Sequence, residues 1–121
     1  MNAPRTILIT GCSSGIGHHA AHALAARGWQ VIATCRREAD CARLREEGLE
    51  SMVLDYQDEA SIDRAFDAAM ARTGGRLDAL FNNGAFAQPG AVEDLPTDAL
   101  RAIFEANFFG WNALTRRALP V

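Results

Sequence analysis

The chain has 121 residues, of which 49% are hydrophobic and 22% charged, and its formal net charge is -3 at pH 7. This size predicts one compact domain, and the lack of a basic cluster argues against nucleic acid or a membrane surface as a partner. No apolar stretch is long enough for a membrane span or a signal peptide, and three cysteines without CxxC spacing are typical of a reducing compartment, so we expect a cytoplasmic protein.

Short apolar runs alternate along the chain with segments whose apolar residues recur at helical spacing. In chain order, the pattern predicts a strand at residues 6–10, a helix at 16–27, a strand at 29–34 and a helix at 38–47. It continues with a strand at 51–55, a helix from residue 58 to the glycines at 74–75, and a strand at 77–81. This order predicts an α/β fold with a doubly wound, Rossmann-like parallel sheet, its four strands ordered 3-2-1-4 and helices on both faces.

A long last helix is predicted to begin with Thr97 as its N-cap. Its main apolar stripe consists of Leu100, Ile103, Phe104, Phe108, Trp111 and Leu114. A second, smaller apolar face consists of Ala102, Ala106, Phe109 and Ala113. Two apolar faces predict burial on both sides of the helix, against the sheet and against something else. The alternative to a partner is cover from missing parts of the same chain.

Three glycines follow the first strand with the spacing G-x-x-x-G-x-G, at Gly11, Gly15 and Gly17. Glycines here allow a sharp turn, a close approach of a diphosphate to the backbone, and close packing of the helix on the sheet. The helix N–H groups that begin near Ile16 then face the anion, and hydroxyl donors are added by Ser13 and Ser14. The alternative is a plain strand-to-helix turn, whereas a P-loop is excluded because no lysine follows the glycines.

The end of the second strand predicts which dinucleotide binds. A site selective for NAD places an acid there for the ribose 2′-hydroxyl, but this chain has Arg36 and Arg37 before its first acid, Glu38. Because Arg36 can pair with a 2′-phosphate, the sequence favours NADP over NAD. The alternative is that both arginines are solvated residues at the start of a helix.

Two further groups of polar residues lie on predicted helices. Asn107 lies on the apolar stripe of the last helix, where an amide is costly to bury unless it is hydrogen-bonded. Its amide therefore has either a functional role or a hydrogen bond to the backbone of its own helix. His18 and His22 have the i, i+4 spacing that can chelate a metal. With no carboxylate or cysteine near them in the sequence, we expect no metal site.

Taken together, these motifs resemble the N-terminal, cofactor-binding part of a classical short-chain dehydrogenase/reductase over nearly the whole chain. The segment from Thr10 to Gly17 is similar to that family's T-G-x-x-x-G-x-G cofactor loop. Asp55 matches the acid that bonds the adenine amino group in the family. The run Asn82-Asn83-Gly84-Ala85 is similar to the family's N-N-A-G segment, which lines the cofactor ribose and steadies the central sheet.

The resemblance implies that the parent protein is an NADP-dependent oxidoreductase that interconverts a small secondary alcohol and a carbonyl compound by hydride transfer. It implies that Asn107 is the asparagine of the catalytic tetrad, which holds a water in a proton relay. It also implies that the last helix packs in a homo-oligomer interface.

The rest of the family's catalytic machinery is missing from this sequence. Relatives use a serine and a Tyr-x-x-x-Lys pair, but here the only tyrosine is Tyr56, the last serine is Ser61, and there is no lysine. We therefore expect residues 1–121 to be a single, incomplete domain, a fragment without the catalytic half, and to show no dehydrogenase turnover alone. The alternative is a non-catalytic module that binds a nucleotide or a protein partner.

Overall fold

Four short parallel strands form the centre of the molecule. The computed structural model describes residues 3–121. The strands are β1 (Thr6–Ile9), β2 (Gln30–Cys35), β3 (Glu50–Val53) and β4 (Ala79–Phe81), and they lie in the order β3-β2-β1-β4. All pairings are parallel, so both the predicted fold class and the predicted strand order are confirmed.

Residues of β1 alternate between two apolar clusters because successive side chains of a strand point to opposite faces. Ile7 and Ile9 pack on one face with residues of α1 (Gly15–Ala26) and α2 (Glu38–Glu46). Leu8 packs on the other face, with residues of α3 (Glu59–Thr73) and of the last helix. Burial on both faces explains why the strands are short, continuous apolar runs.

The predicted helices are confirmed to within one or two residues at their ends. Asp58 caps α3, since its carboxylate accepts the N–H of Ala60 at 3.1 Å. The helix ends at Gly74, whose φ of 69° lies in the left-handed region that glycine adopts without strain. Asp55, predicted to end the third strand, lies two residues beyond β3, in the loop that leads to α3.

The last helix is interrupted in its middle. It consists of α4 (Thr97–Phe104), a π-helical segment (Glu105–Gly110) and α5 (Trp111–Ala118). The N-cap is Pro96 rather than Thr97, because the Pro96 carbonyl already accepts the N–H of Ala99 at 3.0 Å.

Within the described residues, the two predicted apolar faces of this helix are only partly buried. From the main apolar stripe, Leu114 is buried, but Phe104 and Phe108 are 50% and 60% exposed. The residues that approach the sheet are Ala106 and Gly110, because a Cβ at position 110 would lie 2.6 Å from the Cβ of the buried Tyr56. Only small residues allow the helix to come so close.

All three cysteines, Cys12, Cys35 and Cys41, are buried in the cluster between the sheet, α1 and α2. Burial raises the pKa of the Cys12 and Cys35 thiols to about 12. They are therefore inert packing groups at neutral pH.

Within residues 3–121, no helix is both long enough and apolar enough to cross a membrane.

Candidate functional site

The glycine loop connects β1 to α1 and is clamped against the segment that follows β4. Gly11 has a φ of 67°, and a Cβ there would lie 2.6 Å from the Cα of Gly84. A Cβ on Gly17 would lie 2.3 Å from the carbonyl oxygen of Gly11. These two glycines are required by contacts inside the protein.

Gly15 differs from the other two glycines of the loop. Its φ is 62°, and a Cβ built there has no neighbour within 4 Å. Ser14, the N-cap of α1, and Ile16, which is 72% exposed, share this open side of the loop. The first N–H groups of a helix have no partner within the helix, so this side can receive an anion.

A cavity of about 340 Å³ lies at the carboxyl ends of the strands. It collects predicted site residues from four separate loops: Gly11, Ser13, Arg36, Asp55 and Gly84. The other predicted residues are not part of its lining: Ser14, Gly15, Ile16, Gly17, Asn82, Asn83 and Asn107. A crevice at this edge, where the strand order reverses, is the usual ligand site of an open α/β sheet.

The charges in the cavity are mixed. Arg36 and Arg37 line it and are both exposed. Asp40 lines it as well, which the sequence analysis did not anticipate, and its carboxylate accepts a bond from Arg43 at 3.1 Å. The positive charge of Arg43 thus compensates the negative charge of Asp40. Their i, i+3 spacing on α2 is visible in the sequence and predicts such an ion pair.

Asp55 lies in the wall of the cavity with one oxygen already engaged. Its Oδ1 accepts the backbone N–H of Gln57 at 2.9 Å, and its own backbone N–H donates to the Ser61 hydroxyl at 2.8 Å. These bonds fix the turn after β3. A carboxylate has about four acceptor positions, so Asp55 retains capacity to bond a ligand donor.

A chain of hydrogen bonds through Thr10, Tyr56 and Asn82 lies next to the cavity. The sequence did not predict it. The hydroxyl of Thr10 accepts the N–H groups of Asn83 at 3.0 Å and Gly84 at 2.9 Å. With both lone pairs used, Thr10 donates its proton to the Tyr56 hydroxyl, 2.7 Å away. Tyr56 in turn donates to Oδ1 of Asn82 at 2.6 Å.

The chain continues into the last helix. The amide of Asn82 donates to Thr115 at 3.0 Å, and Thr115 donates to the carbonyl of Trp111 at 2.7 Å. The indole N–H of Trp111 then donates to the carbonyl of Gly84 at 2.7 Å. These bonds join the ends of three strands to α5.

Tyr56 is buried at the centre of this network. Burial raises the pKa of its phenol well above the ordinary value, so it stays protonated. Both its proton and an acceptor position are in use, which makes Tyr56 a structural residue rather than an acid or base toward a substrate.

Asn83 fastens the glycine loop directly. Its side-chain amide donates to the carbonyl oxygens of Thr10 and Gly11, each at 3.2 Å. The predicted role of the Asn82-Asn83 pair in steadying the central sheet agrees with these contacts, whereas its contact with a cofactor stays a prediction.

Asn107 bonds to a neighbouring loop and not to its own helix. Its Nδ2 donates to the carbonyl of Phe86 at 2.8 Å, and its Oδ1 accepts the N–H of Phe86 at 3.2 Å. This pair of bonds ties the π-helical segment to the loop after β4. One N–H and one acceptor position of the amide remain for a further partner.

The two histidines of α1 meet a carboxylate, contrary to the premise of the sequence analysis. Nε2 of His18 and Nε2 of His22 lie 2.7 and 2.6 Å from the same Oε1 of Glu47. Glu47 is the C-cap of α2 and is 25 residues or more away in sequence. Both helices pack on the same face of the sheet, which brings the third group into place.

Comparison with known proteins places this architecture in a family. Residues 5–121 match the family described as short chain dehydrogenase. The chain is 39% identical to the oxidoreductase YbbO of Escherichia coli (strain K12) over 116 residues, which are 96% of this chain and 43% of YbbO.

Solved structures give the same result. A short-chain dehydrogenase from Streptomyces avermitilis is similar with a TM-score of 0.90 and 38% identity, over 98% of this chain and 44% of that one. A 3-ketoacyl-(acyl-carrier-protein) reductase from Brucella melitensis, complexed with NADH, is similar with a TM-score of 0.87 and 29% identity, over 96% of this chain and 49% of that one.

The chain spans less than half the length of each of these proteins. Within that span, the fold of the chain matches both solved structures over nearly its whole length. The chain therefore belongs to the short-chain dehydrogenase family of oxidoreductases.

Proposed function

We propose that residues 1–121 are the NADP-binding part of a short-chain dehydrogenase/reductase that interconverts a secondary alcohol and a carbonyl compound by hydride transfer. The observation that carries the proposal is the cavity that joins the glycine loop to Arg36 and Asp55. A dinucleotide needs these three contacts at one sheet edge, for its diphosphate, its 2′ position and its adenine.

In this proposal, the open side of the loop receives the diphosphate. The backbone N–H groups at Gly15 and Ile16 donate to it, with help from the hydroxyls of Ser13 and Ser14. Support comes from the missing Cβ at Gly15, which leaves the backbone accessible to a bulky anion. NADP, when bound, supplies the hydride donor or acceptor.

The proton-transfer groups of the reaction belong, in this proposal, to a catalytic half outside these residues. Tyr56 is buried with its proton donated to Asn82, and the chain contains no lysine to lower the pKa of a tyrosine. We assign Asn107 the water-holding role of the tetrad asparagine, which its free N–H and free acceptor position support. The alternative is a binding module without catalysis. It would have the same cavity but would need no catalytic half.

The preference for NADP is tested with the adenosine half of the cofactor. We expect the chain to bind 2′,5′-ADP about tenfold more tightly than 5′-AMP, because Arg36 forms a charge-assisted pair with the 2′-phosphate. Arg36→Ala should remove this difference and leave the affinity for 5′-AMP unchanged in isothermal titration. The same variant should bring the ratio of the Kd values for NADPH and NADH close to one.

The matched control is Arg27→Ala, since Arg27 is an exposed arginine at the C-terminal end of α1, away from the cavity. It should preserve the preference for 2′,5′-ADP. Equal affinities of the original chain for the two nucleotides, or a preference that survives Arg36→Ala, would contradict the assignment of NADP.

The role of the open loop is tested by Gly15→Ala. An alanine in the left-handed region costs about 1–2 kcal/mol of stability, and its methyl group occupies the proposed diphosphate position. We expect the affinity for NADPH to fall at least about tenfold in a fluorescence titration.

Gly28→Ala is the control for backbone strain alone. Gly28 has a φ of 89° and, like Gly15, an open position for a Cβ, but it follows the far end of α1. Both variants should lose similar stability in urea, and only Gly15→Ala should lose affinity. A comparable loss of NADPH affinity in Gly15→Ala and Gly28→Ala would show that the loss comes from reduced stability and not from a blocked diphosphate position.

We also propose that the protein forms a homo-oligomer through the exposed face of the last helix. Leu100, Phe104, Phe108 and Phe109 are each at least half exposed there. Such a patch on a monomer is unfavourable in water. Sedimentation equilibrium should give a mass above that of the monomer, and Phe108→Ser should reduce it, whereas Val92→Ser, at a residue 90% exposed elsewhere, should not.

A further inference from the structure

One cluster of metal-ligating side chains lies outside the proposed cofactor site. His18 and His22 project from neighbouring turns of α1, with ring centroids 4.7 Å apart, and Glu47 reaches them from the end of α2. The three ligand atoms lie within 4.8 Å of one another. The side chains are 31% to 39% exposed, so an ion from solvent has access.

We propose that His18, His22 and Glu47 bind a divalent transition-metal ion of the zinc type and so link α1 to α2. Two imidazoles and one carboxylate are the three protein ligands of a known class of zinc site, with water in the fourth position. Histidines at i and i+4 present both rings to one ion from a single helix.

The two distances to Glu47 require a small increase, whereas the two histidine nitrogens, which lie within 4.8 Å of each other, have to come closer together. In a tetrahedral zinc site the neighbouring N and O ligand atoms lie about 3.3 Å apart. The two Nε2 atoms now lie 2.7 and 2.6 Å from Oε1 of Glu47, so each distance has to increase by roughly 0.6 Å. Rotation of partly exposed side chains supplies such a change without moving the backbone.

The ligand chemistry also suits a metal. The atoms that converge are two imidazole Nε2 atoms and one carboxylate oxygen. Each histidine binds a metal through Nε2 when its proton is on Nδ1.

The surroundings of the cluster orient the carboxylate. Nε of Arg43 lies 3.8 Å from the second oxygen of Glu47, and its Nη2 donates to the carbonyl of Ser13 at 2.6 Å. The positive charge of Arg43 opposes a cation nearby, but Asp40 pairs with the same guanidinium and offsets it. Bonds to such outer groups commonly fix the orientation of a metal ligand.

The experiment uses the metal alone. After treatment with EDTA, the chain is titrated with ZnCl2 by calorimetry and with CoCl2 by visible spectroscopy, without nucleotide. We expect one equivalent of zinc to bind, tetrahedral cobalt absorption without a cobalt–thiolate band, and a melting temperature that rises with zinc concentration. Removing one ligand, by His22→Ala or Glu47→Gln, should weaken zinc binding more than about tenfold.

His19→Ala is the matched control, since His19 is an exposed neighbour on the same helix and is not a member of the cluster. It should bind zinc like the original chain. The absence of zinc binding to the original chain would overturn the proposal, as would a thiolate band that places the metal on cysteine. An equal loss in His19→Ala and His22→Ala would also overturn it. Circular dichroism confirms that each variant is folded.

Discussion

Gly17→Ala is expected to lower the free energy of unfolding by about 3 kcal/mol, the upper part of the usual range for an overpacked site. The added methyl would lie 2.3 Å from the carbonyl oxygen of Gly11 and 2.6 Å from Nδ2 of Asn83. Alanine is the better helix former, by about 1 kcal/mol, but the backbone collision outweighs this gain. Urea unfolding followed by circular dichroism measures the change.

The control for Gly17→Ala is Gly48→Ala. Gly48 has a φ of 95° and an open Cβ position, so alanine there is strained but meets no atom, and we expect a loss of only about 1 kcal/mol. Adding Asn83→Ala to Gly17→Ala should not restore stability, because the contact with the Gly11 backbone remains. Equal losses in Gly17→Ala and Gly48→Ala would contradict the close packing of α1 on the loop.

Tyr56→Phe is expected to cost about 2 kcal/mol, a loss typical of leaving buried polar groups without a partner. The variant removes the acceptor for the Thr10 hydroxyl and the donor to Asn82, while the ring stays in place. The affinity for NADPH should fall as well, because Thr10 holds the backbone of Asn83 and Gly84 beside the glycine loop.

A double-mutant cycle with Asn82→Ala separates this bond from general effects of each change. Residues that share a hydrogen-bond network commonly show a coupling of about 0.5–3 kcal/mol. We expect the double variant to be more stable than the sum of the single losses predicts. Strict additivity, or a loss in Tyr56→Phe no larger than in the exposed control Thr97→Val, would show that the hydroxyl of Tyr56 does not support the site.

The sheet and its order could be predicted because each strand is a short apolar run closed by glycine or a turn. The buried strand β1 and the left-handed Gly74 after α3 are local signals that depend on neighbouring residues alone. The glycine loop was predictable for the same reason. Its spacing marks two positions, Gly11 and Gly17, where a Cβ would collide with the backbone, and one, Gly15, where φ is positive.

The contacts that sequence reasoning missed join residues far apart in the chain. Thr10 and Tyr56 are 46 residues apart, and Tyr56 and Asn82 are 26 apart, so no local pattern shows that their polar groups meet. The approach of Glu47 to His22 depends in the same way on the placement of α1 and α2 on the same face of the sheet. Proximity of this kind becomes visible only when the strands and helices are assembled.

Which apolar face of the last helix meets the sheet could not be predicted from the sequence, for a different reason. Hydrophobicity favoured the large residues Phe104 and Phe108, but close approach to Tyr56 selects the small residues Ala106 and Gly110. The π-helical segment also changes the local period, so an argument from 3.6 residues per turn fails across it.

The π-helical segment of the last helix straightens the row of residues that faces the sheet. In a regular α-helix, residues four apart drift by about 40° around the axis. The π-helical segment offsets this drift, so that Ala106, Gly110 and Leu114 form a single row against the sheet. On the outside, the rings of Phe104 and Phe108 lie 6.3 Å apart. Deleting one residue from the segment would therefore turn α4 relative to α5 and break the inner row.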